Sequence, residues 1–433
     1  MNLNNIDDKL MNELISFRRD LHQNPELGFF EFRTAGKIIK KLNELNINYE
    51  YGNKLLNKDN LMGYPTKEIL DTYYQSEFIQ SALNEIPEIE LFKNESTAIL
   101  AEINFSEDGP TTLLRVDMDA LPIHETEIKN HVPNIEGYRS KVKGVMHACG
   151  HDIHTTLGVG ILKYLGENKE NLKGTLKVLF QPAEEGVRGA KSLANETVLG
   201  DLDYFIASHV GLEKKSGELL VSEEGFMASS KFDLTFKGES SHAGSHPDLG
   251  KNALLAACQF VSNFYSISRS HLGDTRVNAG TINAGSGRNI IADKAFLQLE
   301  TRGASTEANN YIVEQMIKLT KGIEVMYDVV VEVDKQGEAE TSYGTDKLKD
   351  IVFELAKNYY GEHAVQKESH HPSGSEDATF LMNYVKERGG EVLYMNYGTN
   401  LAASHHNPKF DVEENDLFIF TDFMIEVINE LHK

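Results

Sequence analysis

The chain has 433 residues, of which 40% are hydrophobic and 25% are charged, and this composition is typical of a globular protein with room for two domains. Its 66 acidic and 43 basic residues give a net charge of −23, which argues against nucleic acid as a partner because phosphate binding needs clustered Lys and Arg. The sequence has no run of eighteen apolar residues and no apolar signal core, so it predicts no membrane span and a cytoplasmic location.

The first half of the chain reads as an α/β domain. Helices are predicted at residues 7–21 and 31–45, and the polar stretch 54–93 has apolar residues at helical spacing, which indicates an inserted helical pair. Apolar strands such as "TTLLRVDMDALP", "TLKVLFQPAEE" and "DYFIASHVG" then alternate with helices such as "HTTLGVGILKYLGEN". This alternation predicts a mixed sheet with helices on both faces, which binds ligands beyond the carboxyl ends of its strands.

The pattern changes near residue 227. Strand "KFDLTFKG", helix "NALLAACQFVSNFYSI", two strands, a long helix and strand "VVVEVD" follow in the order β-α-β-β-α-β, which is a ferredoxin-like unit. Helices and a strand of the α/β type then return. We therefore expect a domain of residues 227–336 inserted between the two parts of a catalytic domain, residues 1–226 and 337–433.

The two cysteines, Cys149 and Cys258, have different surroundings. Two cysteines are too few for a disulfide framework in a chain of this size. Cys258 lies in an apolar helical pattern, which predicts a core position. Cys149 lies in "HACGHDIH", where a thiol and the imidazole of His151 are two residues apart, with a glycine between them. Thiolate and imidazole together suit zinc or another late divalent metal, and a cysteine–histidine nucleophile is the alternative interpretation.

Other acids and histidines follow predicted strands. Glu184 and Glu185 come after "VLFQP", His209 ends "DYFIAS", and His405 and His406 come after "EVLYMNYG". Any one of these sets is weak evidence, because adjacent surface acids are usually only solvated. Several sets at the strand ends of one predicted sheet favour a metal site, in which one carboxylate binds an ion and its neighbour serves as a general base.

Motifs spread over nearly the whole chain resemble the amidohydrolase branch of the dinuclear-metal aminoacylase and carboxypeptidase clan. They are "RRDLHQNPELGFFEFRT", "RVDMDALP", "HACGHDIHTT", "LFQPAEEG", "SHAGSHPDLGKNA", "GSGRNIIAD", "GSEDATFLM" and "HHNPKFD". The resemblance implies two divalent metal ions, Mn or Zn, in a metallopeptidase-like domain. It also implies that the inserted unit serves as a lid and dimerisation domain, so that the chain forms a homodimer or a heteromer with a related subunit.

The resemblance also assigns roles to particular residues. The metal ligands it implies are Cys149, His151, Glu185, His209 and His406, with His405 as the alternative to the last. Glu184 matches the general base, and Asp117 and Asp119 match acids that orient the ligands. The residues that match substrate-binding positions of the lid are His242, Asn289 and Arg302, and His242 is also expected to be catalytic, by stabilising the oxyanion. The further cations weighed for a second substrate carboxylate are Arg288 and Arg188.

Three functions stay open on the sequence. The leading hypothesis is an amidase that releases glutamate from p-aminobenzoyl-glutamate. The alternatives are a broader hydrolase of N-acyl-amino acids or dipeptides, and a subunit that supports a related catalytic partner. The motifs indicate the reaction type more strongly than they indicate the acyl group.

Overall fold

The structure is a computed structural model that describes residues 3–106, 108–369 and 374–433. Its strands are β1 (Asn48–Tyr51), β2 (Ile99–Asn104), β3 (Thr111–Asp117), β4 (Thr175–Gln181), β5 (Tyr204–Val210), β6 (Leu219–Glu223), β7 (Ala228–Lys237), β8 (Thr275–Ala284), β9 (Lys294–Gly303), β10 (Val330–Ala339), β11 (Val365–Ser369) and β12 (Glu391–Tyr397). Its helices are α1 (Asp8–Gln23), α2 (Phe32–Glu44), α3 (Lys67–Tyr74), α4 (Glu77–Ala82), α5 (Val132–Ile135), α6 (His151–Glu167), α7 (Ala190–Leu193), α8 (Glu196–Leu199), α9 (Ala253–Phe264), α10 (Thr306–Tyr327), α11 (Asp346–Tyr360), α12 (Ala378–Glu387) and α13 (Asp416–Leu431).

The larger sheet has eight strands in the order β1-β2-β4-β3-β5-β12-β6-β11. The four central strands β4, β3, β5 and β12 run parallel to one another, so their carboxyl ends meet at one edge. They are almost entirely buried, as their near-continuous apolar sequences predict. Helices α1, α6 and α13 pack together on one face and α7 and α12 on the other, which confirms the predicted mixed sheet with helices on both faces.

The smaller sheet is antiparallel throughout, with the order β10-β7-β9-β8. Together with α9 and α10 it has the β-α-β-β-α-β order that the sequence predicts. One face is covered by the helices and buries Phe232, Leu234 and Phe236 of β7. The alternate residues of β7, such as Lys231 and Lys237, therefore lie on the open face. We call this unit the lid domain.

Cys258 is exposed, so the prediction of a core position is wrong. Helix α9 buries Ala256, Ala257 and Phe260, which face the lid sheet. Its outward face also carries apolar residues, among them Leu254 and Leu255, which are 39% and 48% exposed. A helix that is apolar on nearly all sides gives no periodic signal to separate buried from exposed positions.

Residues 54–93 form short helical segments, as predicted. Helices α3 and α4 begin at the N-caps Thr66 and Ser76, whose hydroxyls accept backbone N–H groups of the first turn. Short 3₁₀ segments precede and follow them, and the last of these, Pro87–Phe92, packs against α2. Among the residues that the structure describes, none of the helices combines the length and the apolar character that crossing a membrane requires.

Candidate metal centre and its cavity

The carboxyl edge of the larger sheet gathers most of the polar residues singled out in the sequence. Strand β3 ends at Asp117, β4 is followed by the loop that carries Glu184 and Glu185, and β5 carries His209 next to its last residue. The loop after β12 brings His406 to the same edge, because its backbone N–H donates to the carbonyl oxygen of Ala148 at 2.8 Å.

Gly150 sets the direction of the "HACGHD" segment. Its φ of +92° is left-handed, and a Cβ built there would lie 2.4 Å from Cγ1 of Val210. Glycine therefore allows α6 to begin at His151, directly against β5, with Cys149 just before the helix. The sequence pattern predicts a later start for this helix, because a left-handed glycine is not a common N-cap signal.

Several groups of donor atoms converge at this edge. The Sγ of Cys149 lies 3.4 Å from Nε2 of His209. Within each of three groups the donor atoms lie within 4.8 Å of one another. The groups are Cys149–His151–His209, Cys149–Glu185–His406 and His151–Glu184–Glu185.

Two buried polar atoms of this set have no hydrogen-bond partner among the described residues: Nε2 of His151 and Oε1 of Glu185. Oε1 of Glu185 lies 3.4 Å from Nε2 of His406, another candidate donor, but the two atoms do not form a hydrogen bond. Buried polar atoms are nearly always paired, so the imidazole nitrogen and the carboxylate oxygen are suited to binding a cation. Thiol, imidazole and carboxylate donors are those that divalent transition metals prefer. The residues present therefore fit divalent metal ions.

The electrostatics of the donors agree with this fit. Burial raises the pKa of the Cys149 thiol, and the carboxylates of Glu185 and Glu184 raise it further, so a thiolate at this position needs a compensating cation. Burial lowers the pKa of His209, and the neighbouring His154 and His405 lower it further. A neutral imidazole is the form that binds a metal.

The loop from Ala183 to Val187 carries Glu184 in a strained backbone. Both Ala183 and Val187 have positive φ, at 53° and 57°, which costs free energy in residues with a Cβ. Buried carboxylates hold the loop in this shape. Asp119 accepts the backbone N–H groups of Glu184 and Glu185 at 3.0 Å each, and Glu31 accepts that of Ala183 at 2.9 Å.

Asp119 also accepts from Nδ1 of His151, at 3.3 Å, so one carboxylate orients a candidate ligand and the loop of the candidate base. Burial raises the pKa of Glu184, and the nearby Glu376 and Glu185 raise it further, while Arg115 opposes them. The site thus concentrates negative charge that a cation would offset.

Asp117 binds a histidine to which the sequence motifs assigned no role. Nδ1 of His154 lies 2.7 Å from Oδ1 of Asp117, and its Nε2 accepts the backbone N–H of Val210 at 3.1 Å. The proton of His154 is therefore on Nδ1, and the imidazole connects β3 to β5. The spacing of His151 and His154, three residues apart on one helix, is the signal that could have pointed to it.

Glu376, in the "GSEDATFLM" motif, is a second residue that had no role on the sequence alone. It is 4% exposed, accepts from Nη2 of Arg115 at 3.0 Å and from the hydroxyl of Tyr394 at 2.5 Å, and lines the same cavity as Glu184. Arg115 also donates to Oδ2 of Asp117 at 2.7 Å, so one buried guanidinium links the two acids.

The two histidines of "SHHNP" point to different partners. Nε2 of His405 donates to the carbonyl oxygen of Val210 at 2.9 Å, and burial lowers the pKa of this imidazole to about 4. Nε2 of His406 instead lies 3.4 Å from Oε1 of Glu185, within the donor set. This geometry favours His406 over His405 as a ligand.

A cavity of about 410 Å³ joins this edge to the lid domain. One wall carries Cys149, Glu184, Glu185 and Glu376, and the lid side contributes Lys231 and Arg302. Apolar side chains of Val187, Leu212 and Phe226 also line it, and the remaining lining residues are Gly186, His209, Gly374, Ser375, Tyr394, His405 and His406.

Three residues that the sequence predicts to bind substrate lie elsewhere in the described chain. His242, Arg288 and Asn289 are exposed on the lid, where a bridge pairs His242 with Ile290, and none of the three lines the cavity of their own chain. Arg188 does not line the cavity either. Its Nε donates to the carbonyl oxygen of Glu185, and its Cζ lies 5.2 Å from the ring centroid of Phe29.

Residues 113–430 match the model of peptidase family M20/M25/M40. The chain belongs to this family. It is 38% identical over 418 residues to the indole-3-acetyl-aspartic acid hydrolase of Enterobacter agglomerans, and 38% identical over 417 residues to one subunit of the p-aminobenzoyl-glutamate hydrolase of Escherichia coli; both alignments cover 96% of this chain and 95% of the relative.

Solved structures of similar proteins show the same fold. The aminobenzoyl-glutamate utilization protein of Klebsiella pneumoniae superposes with a TM-score of 0.80 and 31% identity, over 98% of this chain and 96% of that one. A dinuclear metal binding peptidase of the M20 family from Bacillus subtilis gives a TM-score of 0.67 and 25% identity, over 98% and 99% of the two chains. The present M20 member is a hydrolase that acts on amide bonds, and its donor set is that of a divalent-metal enzyme.

Proposed function

We propose that this M20 hydrolase cleaves the amide bond of p-aminobenzoyl-glutamate to give p-aminobenzoate and glutamate, with two Mn or Zn ions per chain. The observation that carries the proposal is the two-walled cavity, which has metal donors and Glu184 on one wall and the cations Lys231 and Arg302 on the other. The names of the two relatives support it, since both describe hydrolysis of an aromatic acyl group joined to an acidic amino acid.

We assign the metal ions to five ligands and their orientation to two further acids. The ligands are Cys149, His151, Glu185, His209 and His406. Asp119 holds His151 through Nδ1, and Asp117 holds His154 against β5. Hydrogen bonds of this kind fix the direction of a ligand and make it a better donor. When bound, the ions polarise the amide carbonyl as Lewis acids and lower the pKa of a water molecule.

Glu184 is the general base of the proposed reaction. Its Oε2 lies 3.9 Å from Nε2 of His151, so the carboxylate faces the donor set, and we assign it the role of base and not that of a ligand. It takes a proton from the attacking water and gives it to the leaving nitrogen as the C–N bond breaks. The hydroxyl group of the water ends on the acyl carbon, and its proton ends on the amine. The hydrogen bonds to the Ala183–Glu185 backbone keep it in place during both transfers.

The cavity lining fits the two halves of this substrate. Phe226 packs edge-on against Tyr394 with ring centroids 4.8 Å apart, and together with Leu212 it offers an apolar surface to an aromatic acyl group. Arg302 on the opposite wall can bind the α-carboxylate through two parallel hydrogen bonds.

We further propose that the site is completed by a second protomer, in a homodimer or in a heteromer with a related chain. His242 and Asn289 then bind the substrate in the cavity of the other protomer, because they are exposed on their own lid and do not line their own site. The outward face of α9, with Leu254, Leu255 and Cys258, is an apolar surface that an interface between lid domains would bury. In this proposal residues 227–336 serve as lid and dimerisation domain.

A substrate panel tests the proposed function. The purified chain alone, loaded with Mn²⁺ or with Zn²⁺, is assayed on p-aminobenzoyl-glutamate and on hippurate, and kcat/KM is compared. We expect faster hydrolysis of p-aminobenzoyl-glutamate. Faster hydrolysis of hippurate would favour a broad N-acyl-amino-acid hydrolase. A chain that becomes active only after a related subunit is added would instead favour a supporting role.

A further inference from the structure

The open face of the lid sheet carries a row of charged side chains where it meets the cavity. Lys231 on β7 and Arg302 on β9 both line the cavity. Lys231 is paired across the sheet with Glu300, and Arg302 lies two residues further along β9, so the three side chains are on the same face. Lys231 and Arg302 are the lysine and the arginine among the described residues that line the cavity.

Glu300 holds the two cations in place. Its Oε2 lies 3.2 Å from Nζ of Lys231, and its Oε1 lies 3.2 Å from Nε of Arg302. Burial opposes ionisation of Glu300, but the hydrogen bond from Arg302 and the charge of Lys231 outweigh it and lower the pKa of this carboxyl. All three side chains are about 30% exposed (28% to 30%), so the cations remain accessible from the cavity. The row has two positive charges and one negative charge, and so keeps a net attraction for anions.

The opposite wall restricts how a doubly charged substrate can lie. Glu184, Glu185 and Glu376 line that wall, and in the proposed function the metal ions and the scissile amide occupy it, so the carboxylates of the amino acid must be bound elsewhere in the cavity. With the amide bond beside Glu184, both carboxylates of an N-acyl acidic amino acid must therefore point towards the lid. If Arg302 binds the α-carboxylate, Lys231 is the remaining cation of the described lining.

We infer that Lys231 binds the side-chain carboxylate of the acidic amino acid and gives the enzyme its preference for acidic over neutral conjugates. The inference rests on the proposed function and names its specificity residue. It replaces Arg188, which lies outside the cavity, and it replaces Arg288 within one chain, because Arg288, like its neighbour Asn289, could reach only the cavity of another protomer. A lysine suits the position because its flexible stem allows the ammonium to reach a side chain of aspartate or of glutamate length.

The test compares substrates that differ only in charge. Lys231→Met removes the ammonium and keeps most of the side-chain volume, and Lys231→Arg keeps the charge. Lys237→Met is the matched control. Lys237 lies on the same strand and the same face, about 20 Å further along, and is paired with Glu332 as Lys231 is with Glu300. The substrates are p-aminobenzoyl-glutamate and p-aminobenzoyl-glutamine, which have nearly the same shape, and the metal content of each variant is measured.

For Lys231→Met we expect kcat/KM on the glutamate conjugate to fall by roughly ten- to a hundred-fold, mainly through a higher KM, because one charge-assisted hydrogen bond is lost. Activity on the glutamine conjugate should stay within about three-fold, since a neutral amide gains little from the ammonium. Lys231→Arg should keep most of the preference, and Lys237→Met should behave as the wild type with an unchanged metal content.

An equal loss on both conjugates, or no loss on either, would overturn the inference, and so would a loss confined to Arg288→Ala. If Lys231→Met does not fold, the wild type provides the test. A wild type that hydrolyses glutamate and glutamine conjugates equally well would show that Lys231 does not have the proposed role. If the wild type rejects both p-aminobenzoyl conjugates but hydrolyses indole-3-acetyl-aspartate, the proposed substrate is wrong, and the same comparison on aspartate and asparagine conjugates decides on Lys231. Hydrolysis of neutral conjugates alone would contradict both proposals.

Discussion

The catalytic sheet edge and the lid domain hold their charged groups in opposite ways. At the sheet edge, Asp117, Asp119 and Arg115 are almost fully buried, and each is fixed by hydrogen bonds to neighbouring strands and loops. On the lid, His242 and Asn289 are exposed in loops away from their own cavity. The candidate metal donors are therefore brought together within one chain, whereas His242 and Asn289, which the sequence predicts to act on the substrate, are not brought to the cavity of their own chain.

The largest expected effect comes from the proposed general base, Glu184, at the carboxyl edge of the larger sheet. Glu184→Gln should lower kcat by about a hundred- to ten-thousand-fold, because general-base catalysis typically contributes that much. Metal content should stay close to that of the wild type, since Glu184 lies beside the five proposed ligands. Kinetics and metal analysis are measured together, with the exposed Glu362→Gln as the matched control. Activity within a few-fold of the wild type would remove Glu184 from this role.

The substitution His242→Ala on the lid domain should lower kcat by roughly a hundred- to a thousand-fold if His242 stabilises the developing oxyanion. Mixing this variant with Glu184→Gln tests whether it acts across protomers. A mixed dimer would combine the intact Glu184 of one protomer with the intact His242 of the other, so activity should return from two inactive parents. If exchange of protomers is demonstrated and activity does not return, His242 acts within its own chain or has no catalytic role.

Removal of a metal ligand should lower both the metal content and the activity. Cys149→Ser should weaken metal binding by at least about ten- to a hundred-fold, the usual cost of disturbing even the groups around a ligand, because a hydroxyl is a poor anionic donor at neutral pH. Bound metal is measured by elemental analysis after gel filtration. A variant that keeps its full metal content but loses activity would return Cys149 to the alternative of a nucleophile.

Cys258 gives the smallest expected effect and sharpens the contrast between the two cysteines. Since Cys258 is exposed on α9 of the single chain, Cys258→Ser should change the free energy of unfolding of the monomer by no more than about 0.5 kcal/mol, as is usual for surface substitutions. Thermal or denaturant unfolding measures this, and metal content and kcat should not change. A loss of more than about 1 kcal/mol would indicate that this face of α9 is buried in the assembled protein.

Much of this architecture could be predicted because long apolar strands and amphipathic helices carry periodic signals. Strands β3, β4 and β5 and the β-α-β-β-α-β order of the lid domain follow from such patterns. The short strands β1, β6 and β11 were missed, since four or five residues at the sheet margin give too little pattern to recognise. Cys258 was misplaced because α9 is apolar on its outward face as well.

The candidate site was predictable where chemistry is concentrated in one motif and not where it depends on distant pairing. The donors of "HACGHD" and the acids of "AEE" stand out in the sequence. Glu376 and Lys231 acquire a role only when the segment before α12 and strand β7 are brought to the same cavity, and His154 acquires one only when α6 packs against β3 and β5. Their partners lie tens to hundreds of residues away, so local spacing, which places His154 beside His151 on α6, does not identify these partners.

The central claim is that this chain forms a dinuclear metal site on which amide hydrolysis depends. A titration of the chelator-treated protein with Mn²⁺, and separately with Zn²⁺, tests it most directly when bound ions per chain and release of p-aminobenzoate from p-aminobenzoyl-glutamate are followed in the same samples. We predict that release is absent without metal and reaches its maximum when two ions are bound. Full release by the metal-free protein, or binding that saturates at two ions with no release, would contradict the account.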